Sequence, residues 1–228
     1  MNDDGKDIGV LSDACLRDLA WDGDDLVLCF EPASFDPDRS SYTLKFTEIA
    51  QFDVELNWRD RLVDPPLVWE AGEDDEAGKC RVVVDFGGAP DGGFSVLARG
   101  RTLTREDRLR AVDEAEDVHR FASTKPDQGN NLAALVGAQL NSVHWRDLDV
   151  VLRFAVRSDS AGDVVTHYSL VLRECSEAGI RQRVPGMPKV RAISVLDDAA
   201  GYRLEVAFDE SQPDGIRMAP RSWSLVAT

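Results

Sequence analysis

Apolar and polar residues alternate along short stretches of this chain with the period of two that a half-buried β-strand requires. Leu26, Leu28 and Phe30 keep one face apolar, as do Tyr42, Leu44 and Phe46, and then Phe52, Val54 and Leu56. Ahead of them Leu19 and Trp21 share a face, and Asp22-Gly23-Asp24 reads as the turn of a hairpin. Further on, Cys80, Val82, Val84 and Phe86 alternate, Pro90-Asp91-Gly92 makes a turn, and a last strand through Phe94 to Ala98 closes near Leu103. A short turn or helical segment from Ile8 to Ala14 carries Leu11 inward before the first strand.

The pattern then returns. Leu11 to Phe30 recurs without a gap at Leu135 to Phe154, with Leu11, Ala14, Leu16, Trp21, Asp25, Val27, Leu28 and Phe30 matched by Leu135, Ala138, Leu140, Trp145, Asp149, Val151, Leu152 and Phe154. Tyr168, Leu170 and Leu172 answer the strand at Tyr42, Val190 to Val195 aligns with Leu67 to Trp69, and Tyr202, Leu204, Val206 and Phe208 answer the strand at Cys80. Only EAGIRQRVPGMP, where the first copy has Phe52 to Leu56, shows no clear strand. A repeat far longer than the roughly 20 to 50 residues of a solenoid unit predicts two similar domains in tandem. The expected fold is all-β: two duplicated antiparallel β-sandwich, jelly-roll-like domains over residues 7–103 and 131–228, joined by one helix within 104–130. That helix is placed by Thr104 and Asp107 as a capping-box variant, by the partial stripe Leu109, Val112 and Val118, and by its end at Pro126 to Asn131.

Charge divides the copies. The chain carries a formal net charge of -16; residues 7–103 hold 9 basic and 21 acidic side chains, a net of -12, and residues 131–228 hold 11 and 12, a net of -1. Such a field disfavours nucleic acid and anionic membrane as partners and steers a basic protein towards the first copy. No apolar run reaches the roughly 18 residues of a membrane span, and MNDDGKDIGV lacks the basic and apolar regions of a signal peptide. A cytoplasmic location is expected. Cys15, Cys29, Cys80 and Cys175 form no CxxC pair, and the aligned counterparts of the first three are not cysteines, so they read as small, partly buried side chains.

Two acidic stretches are the candidate partner-binding residues: Asp22, Asp24 and Asp25 in the first hairpin turn, and Glu73, Asp74, Asp75 and Glu76, read as an anionic loop. Each has a plainer reading as solvated surface. Carboxylates from loops at one end of a sandwich can hold calcium, but the second copy reads Arg146-Asp147-Leu148-Asp149 at the first turn. His119, His144 and His167 have no zinc-like spacing, GGAPDGG lacks the Lys-Ser or Lys-Thr of a phosphate loop, and no serine or cysteine has a recognisable base partner. His144, aligned with Ala20, reads as a half-exposed strand residue. No enzyme and no cofactor is expected. Trp21 and Trp145 read as core, and Trp58, Trp69 and Trp223 as the tryptophans available for contact.

The run Asp13-Ala14-Cys15-Leu16, then Leu26 to Phe30, then Tyr42-Thr43-Leu44-Lys45-Phe46 resembles a broad group of small bacterial β-rich proteins, some assigned as immunity proteins of polymorphic toxin systems. The second copy has Gly137 where Asp13 stands. The resemblance implies a non-enzymatic binding protein that holds a cognate basic toxin stoichiometrically, which suits the acid of the first copy. The alternative from another class is a carbohydrate or small-molecule binding module, with calcium as a candidate aid.

Overall fold

A computed structural model describes residues 7–32, 40–57, 67–76, 78–86, 92–106, 132–146, 149–157, 165–182, 186–198, 201–208 and 214–227. The first half contributes β1 (Ala14–Asp22), β2 (Asp25–Pro32), β3 (Ser41–Asn57), β4 (Val68–Glu76), β5 (Lys79–Phe86) and β6 (Gly93–Glu106). The second contributes β7 (Gln139–Arg146), β8 (Asp149–Arg157), β9 (Val165–Arg173), β10 (Glu177–Gln182), β11 (Ala192–Asp198), β12 (Gly201–Ala207), β13 (Gly215–Met218) and β14 (Ser222–Ala227). Short 3-10 turns at Ile8–Leu11 and Leu132–Leu135 precede β1 and β7 and bury Leu11 and Leu135. Among the described residues no helix is long and apolar enough to cross a membrane.

All fourteen strands pair antiparallel into one sheet, where two separate sandwiches were expected. In the first half the pairing runs β1-β2-β3-β6-β5-β4, and a bridge between Cys15 and Leu67 with a bond from Asp13 N–H to Val68 O (2.9 Å) brings β4 back to β1. In the second half a bridge between Gln139 and Lys189 and a bond from Gly137 N–H to Val190 O (2.8 Å) make the corresponding return. Each return is made by backbone hydrogen bonds.

Matched features recur throughout. Asp13 (φ 66°) and Gly137 (φ 88°) are both left-handed, which explains why Asp and Gly alternate there: both enter that region at low cost. Glu48 and Glu174 both have φ of 50°, and each is paired with an arginine, Arg99 at 3.0 Å and Arg221 at 2.9 Å. A Cβ on Gly93 would lie 2.5 Å from Val84 O, and one on Gly215 only 2.1 Å from Val206 O, so both strand crossings exclude any side chain.

The core is built from the alternating positions. Phe30, Phe46, Phe52 and Phe154 are fully buried, and Trp21 and Trp145 are 6% and 2% exposed. Trp21 meets Phe52 edge-on at 6.5 Å between ring centres, a geometry favoured by the ring quadrupoles. Phe94 lies 6.2 Å from Phe30 and 6.0 Å from Phe86.

Two further expectations are corrected. Glu177–Gln182, read as lacking a strand, is β10, wedged between β3 and β13 with Ala178, Ile180 and Gln182 buried. Thr104, expected to cap a helix, lies in β6 opposite Thr43, and β6 continues to Glu106; the rest of the expected helix, 107–130, lies outside the described residues. Strand pairing overrides the capping signal because each added ladder position satisfies backbone groups on both strands.

The halves meet along two ladders. β1 pairs with β7 through Asp18–His144, Leu19–Val143 and Ala20–Ser142, and β3 pairs with β10 through six pairs from Phe52–Gln182 to Asn57–Glu177. Leu19 faces Val143 at the middle of the first ladder, and Val54 faces Ile180 within the second.

Candidate functional site

The acidic turn between β1 and β2 forms because Gly23 supplies a φ of 63° at the corner. Its carboxylates are already engaged. Lys45 of β3 places Nζ 3.0 Å from Asp22 Oδ2 and 2.9 Å from Asp25 Oδ2, and these bonds, Asp25 first, raise the lysine's pKa. Asp24 faces the second half: a Cβ built on Gly186 would come within 3.1 Å of its Oδ1. The turn is therefore partly neutralised and partly turned towards the neighbouring half.

Glu73, Asp74, Asp75 and Glu76 are not a loop. They form the end of β4, opposite Val82, Arg81, Cys80 and Lys79 of β5. The strand arises despite the low β propensity of Asp and Glu because β5, with Val82 and Val84 buried, supplies a ladder and an apolar face. Alternation puts Ala71, Glu73 and Asp75 on the side of Val82 and Val84, and Glu70, Gly72 and Asp74 on the outer side.

Glu73 is satisfied within the protein. Arg101 Nη2 donates to its Oε2, and Cys80 Sγ donates to its Oε1 at 2.9 Å. The arginine bond holds the Glu73 carboxyl below its ordinary pKa; burial, followed by the carboxylate, pushes the Cys80 thiol up to about 11. Asp75 Oδ1 accepts from Gly78 N–H at 3.1 Å and fixes the turn into β5. Glu70 and Asp74 are exposed and have no hydrogen bond or ion pair among the described residues.

Beside them stands Trp69, the residue at the register shift between Val68 and Glu70, with 70% of its surface exposed. Of the other two tryptophans expected to be available, Trp223 is half-buried against the core and Trp58 lies outside the described residues. The acidic run was legible in the sequence, whereas its seat on an edge strand was not.

A polar row crosses the first ladder and was not anticipated from the sequence. His144 Nδ1 bonds Asp18 Oδ1, and Ser142 Oγ lies 3.0 Å from His144 Nε2, the order of a serine–histidine–aspartate relay. The signal available was Ser142 and His144 two apart on one strand; their aspartate is 126 residues from the histidine and is reached only through the ladder. Ser142 is mid-strand and 8% exposed, so its hydroxyl is enclosed, and the row links the halves.

A groove of about 260 Å³ opens over the second ladder. Gly179 and Gly215 lie among its lining residues, and its ionisable residues are Asp53 and Arg181, joined by two bonds of 3.2 and 3.0 Å, with Glu205, Asp214 and Arg217. Among the described residues no three His, Cys, Asp or Glu side chains gather as metal ligands.

Comparison with protein families, curated proteins and solved structures finds no match for this chain. The class defined by the fold is an all-antiparallel β protein with a continuous sheet.

Proposed function

We propose that this chain is a non-enzymatic binding protein, an immunity-type inhibitor that holds a basic toxin through the acidic first half. One observation carries the reading: on β4, Trp69 is 70% exposed beside Glu70 and Asp74, two exposed carboxylates with no hydrogen bond or ion pair among the described residues. A large aromatic flanked by unpaired charge gives a partner both apolar area and electrostatic steering. Asp22, Asp25 and Glu73, already paired internally, contribute to the field more than to direct contact. Co-expression with a candidate toxin tests it. The intact chain protects, Trp69→Ala with Asp74→Lys does not, and protection that survives both changes removes the proposal.

The two halves are read as copies of one ancestral unit, supported by the repeated cores, the paired left-handed residues and the facing of Leu19 with Val143 and of Val54 with Ile180 across the two ladders. In this reading both halves kept the core, and acid was loaded onto the first.

A small-molecule or carbohydrate site is the second reading, favoured by the groove. Gly179 has no neighbour closer than 3.9 Å to a built Cβ, so its bareness is not forced by packing, and a strand glycine of that kind leaves room for a ligand. Calorimetry with calcium and a glycan panel decides it, since silence in both ends this second reading.

A further inference from the structure

We infer that the outer edge of β4 receives a strand from the partner, so that a basic extended segment is added to the sheet as its next strand. This rests on the binding reading above and gives it a mode.

Among the described residues β4 pairs only with β5. On its other side the contacts are made at its start, where Leu67 bridges Cys15 and Val68 O accepts from Asp13. From Trp69 to Glu76 the outer row of backbone donors and acceptors has no described strand beside it. An open edge of this kind is a template for pairing unless something discourages it.

The residues on it are selective. Glu70 and Asp74 on the outer side repel a second copy of the same edge, since like charges directly opposite are unfavourable. A strand carrying Lys or Arg at alternate positions meets the reverse situation. Trp69 offers its face to such a cation or to an apolar residue beside it. Among the described residues the other strands with a single partner are β11, which bears Ile193, Ser194, Val195 and Leu196 before its first acid at Asp197, and β14, Ser222–Ala227, which carries no acid, so the acidic run is a feature of the β4 edge. Edge-to-edge addition is also how this chain joins its own halves, through β1–β7 and β3–β10. The occupant is a single basic β-strand of another protein, held by main-chain bonds and selected by charge.

The test uses the full chain and three synthetic twelve-residue peptides, alternating lysine with valine, lysine with proline, and glutamate with valine. Lysine–proline keeps the charge, lacks an N–H at every second residue, and pairs poorly as a strand because of its proline rings. Amide hydrogen exchange over 69–76 and Trp69 fluorescence are followed. The lysine–valine peptide is expected to slow exchange at 69–76 by about tenfold or more and to bind about tenfold more tightly than lysine–proline. The glutamate–valine peptide is expected to do neither. Equal binding of the two lysine peptides, or protection only outside β4, overturns strand addition and leaves the electrostatic reading in place. Equal binding of lysine–valine and glutamate–valine, or no lysine-peptide binding at low salt, overturns both. Glu70→Lys with Asp74→Lys, checked for retained sheet by circular dichroism, is expected to abolish lysine–valine binding; unchanged binding also overturns the inference.

Discussion

Leu19 stands directly opposite Val143 at the centre of the β1–β7 ladder, and both are fully buried. The interior of each half thus reaches the line along which the halves meet. Leu19→Ala is expected to cost about 2–5 kcal/mol, and Val143→Ala to be non-additive with it by about 0.5 kcal/mol or more, because each change leaves space its neighbour shares. Since one sheet runs through both halves, urea unfolding of the chain is expected to show a single transition by tryptophan fluorescence and circular dichroism alike. Two separated transitions, or strict additivity, would count against a shared seam.

Glycines at two strand positions make opposite predictions. At Gly215 a Cβ would sit 2.1 Å from Val206 O, backbone that cannot withdraw without breaking the β12–β13 pairing; at Gly179 the nearest atom is 3.9 Å away. Gly215→Ala is expected to destabilise by about 1–3 kcal/mol or more, as overpacking does. Gly179→Ala is expected to be neutral or to stabilise by up to about 1 kcal/mol, because it only restricts the unfolded chain. Thermal melts of the two variants decide between them.

Strand alternation made Leu26, Leu28, Phe30, Val150, Leu152 and Phe154 legible as core, and all six are fully buried. What stayed hidden was whatever depends on a distant strand. Glu177–Gln182 shows little apolar pattern beyond Ala178 and Ile180, and it is a strand because β3 and β13 bond both its edges. The acids at the end of β4 read as a loop because Asp and Glu disfavour strands locally, and β5 overrides that preference. Of the candidate site residues, the sequence could locate the charge but not show that Lys45 and Arg101 neutralise Asp22, Asp25 and Glu73. Nor could it join Asp18 to His144 across the seam.

That polar row yields a prediction about both structure and chemistry. Asp18→Ala leaves His144 without its carboxylate and is expected to cost up to about 1 kcal/mol, because the pair is only part-buried and water can reach the stranded imidazole. Ser142, mid-strand and enclosed, is expected to resist a fluorophosphonate probe under native conditions. Stoichiometric labelling at Ser142, abolished by His144→Ala, would show a working nucleophile and overturn the non-enzymatic reading.

The Glu73–Arg101–Cys80 cluster sets an expectation at each end of the pH scale. Arg101 lowers the Glu73 carboxyl from its ordinary value of 4.5, so the ionised group stabilises the fold. Its contribution is complete above that ordinary value and is lost as pH falls through the depressed folded value. Glu73→Gln is therefore expected to flatten the acid limb of stability below about pH 4.5, measured by denaturant midpoints across pH, while leaving its shape near neutrality unchanged. Cys80 runs the other way: its thiol is pushed up from 9.0 to about 11, so the protonated form is favoured and stability falls as pH rises between those values. At pH 8 its thiolate fraction is about a hundredfold below that of a thiol at the ordinary value, and iodoacetamide labelling is expected to slow accordingly. In Glu73→Gln the carboxylate's share of the shift disappears while burial remains. Cys80 labelling should then accelerate without reaching the rate of a free thiol, and an unchanged rate would mean that the carboxylate does not act on the thiol at all.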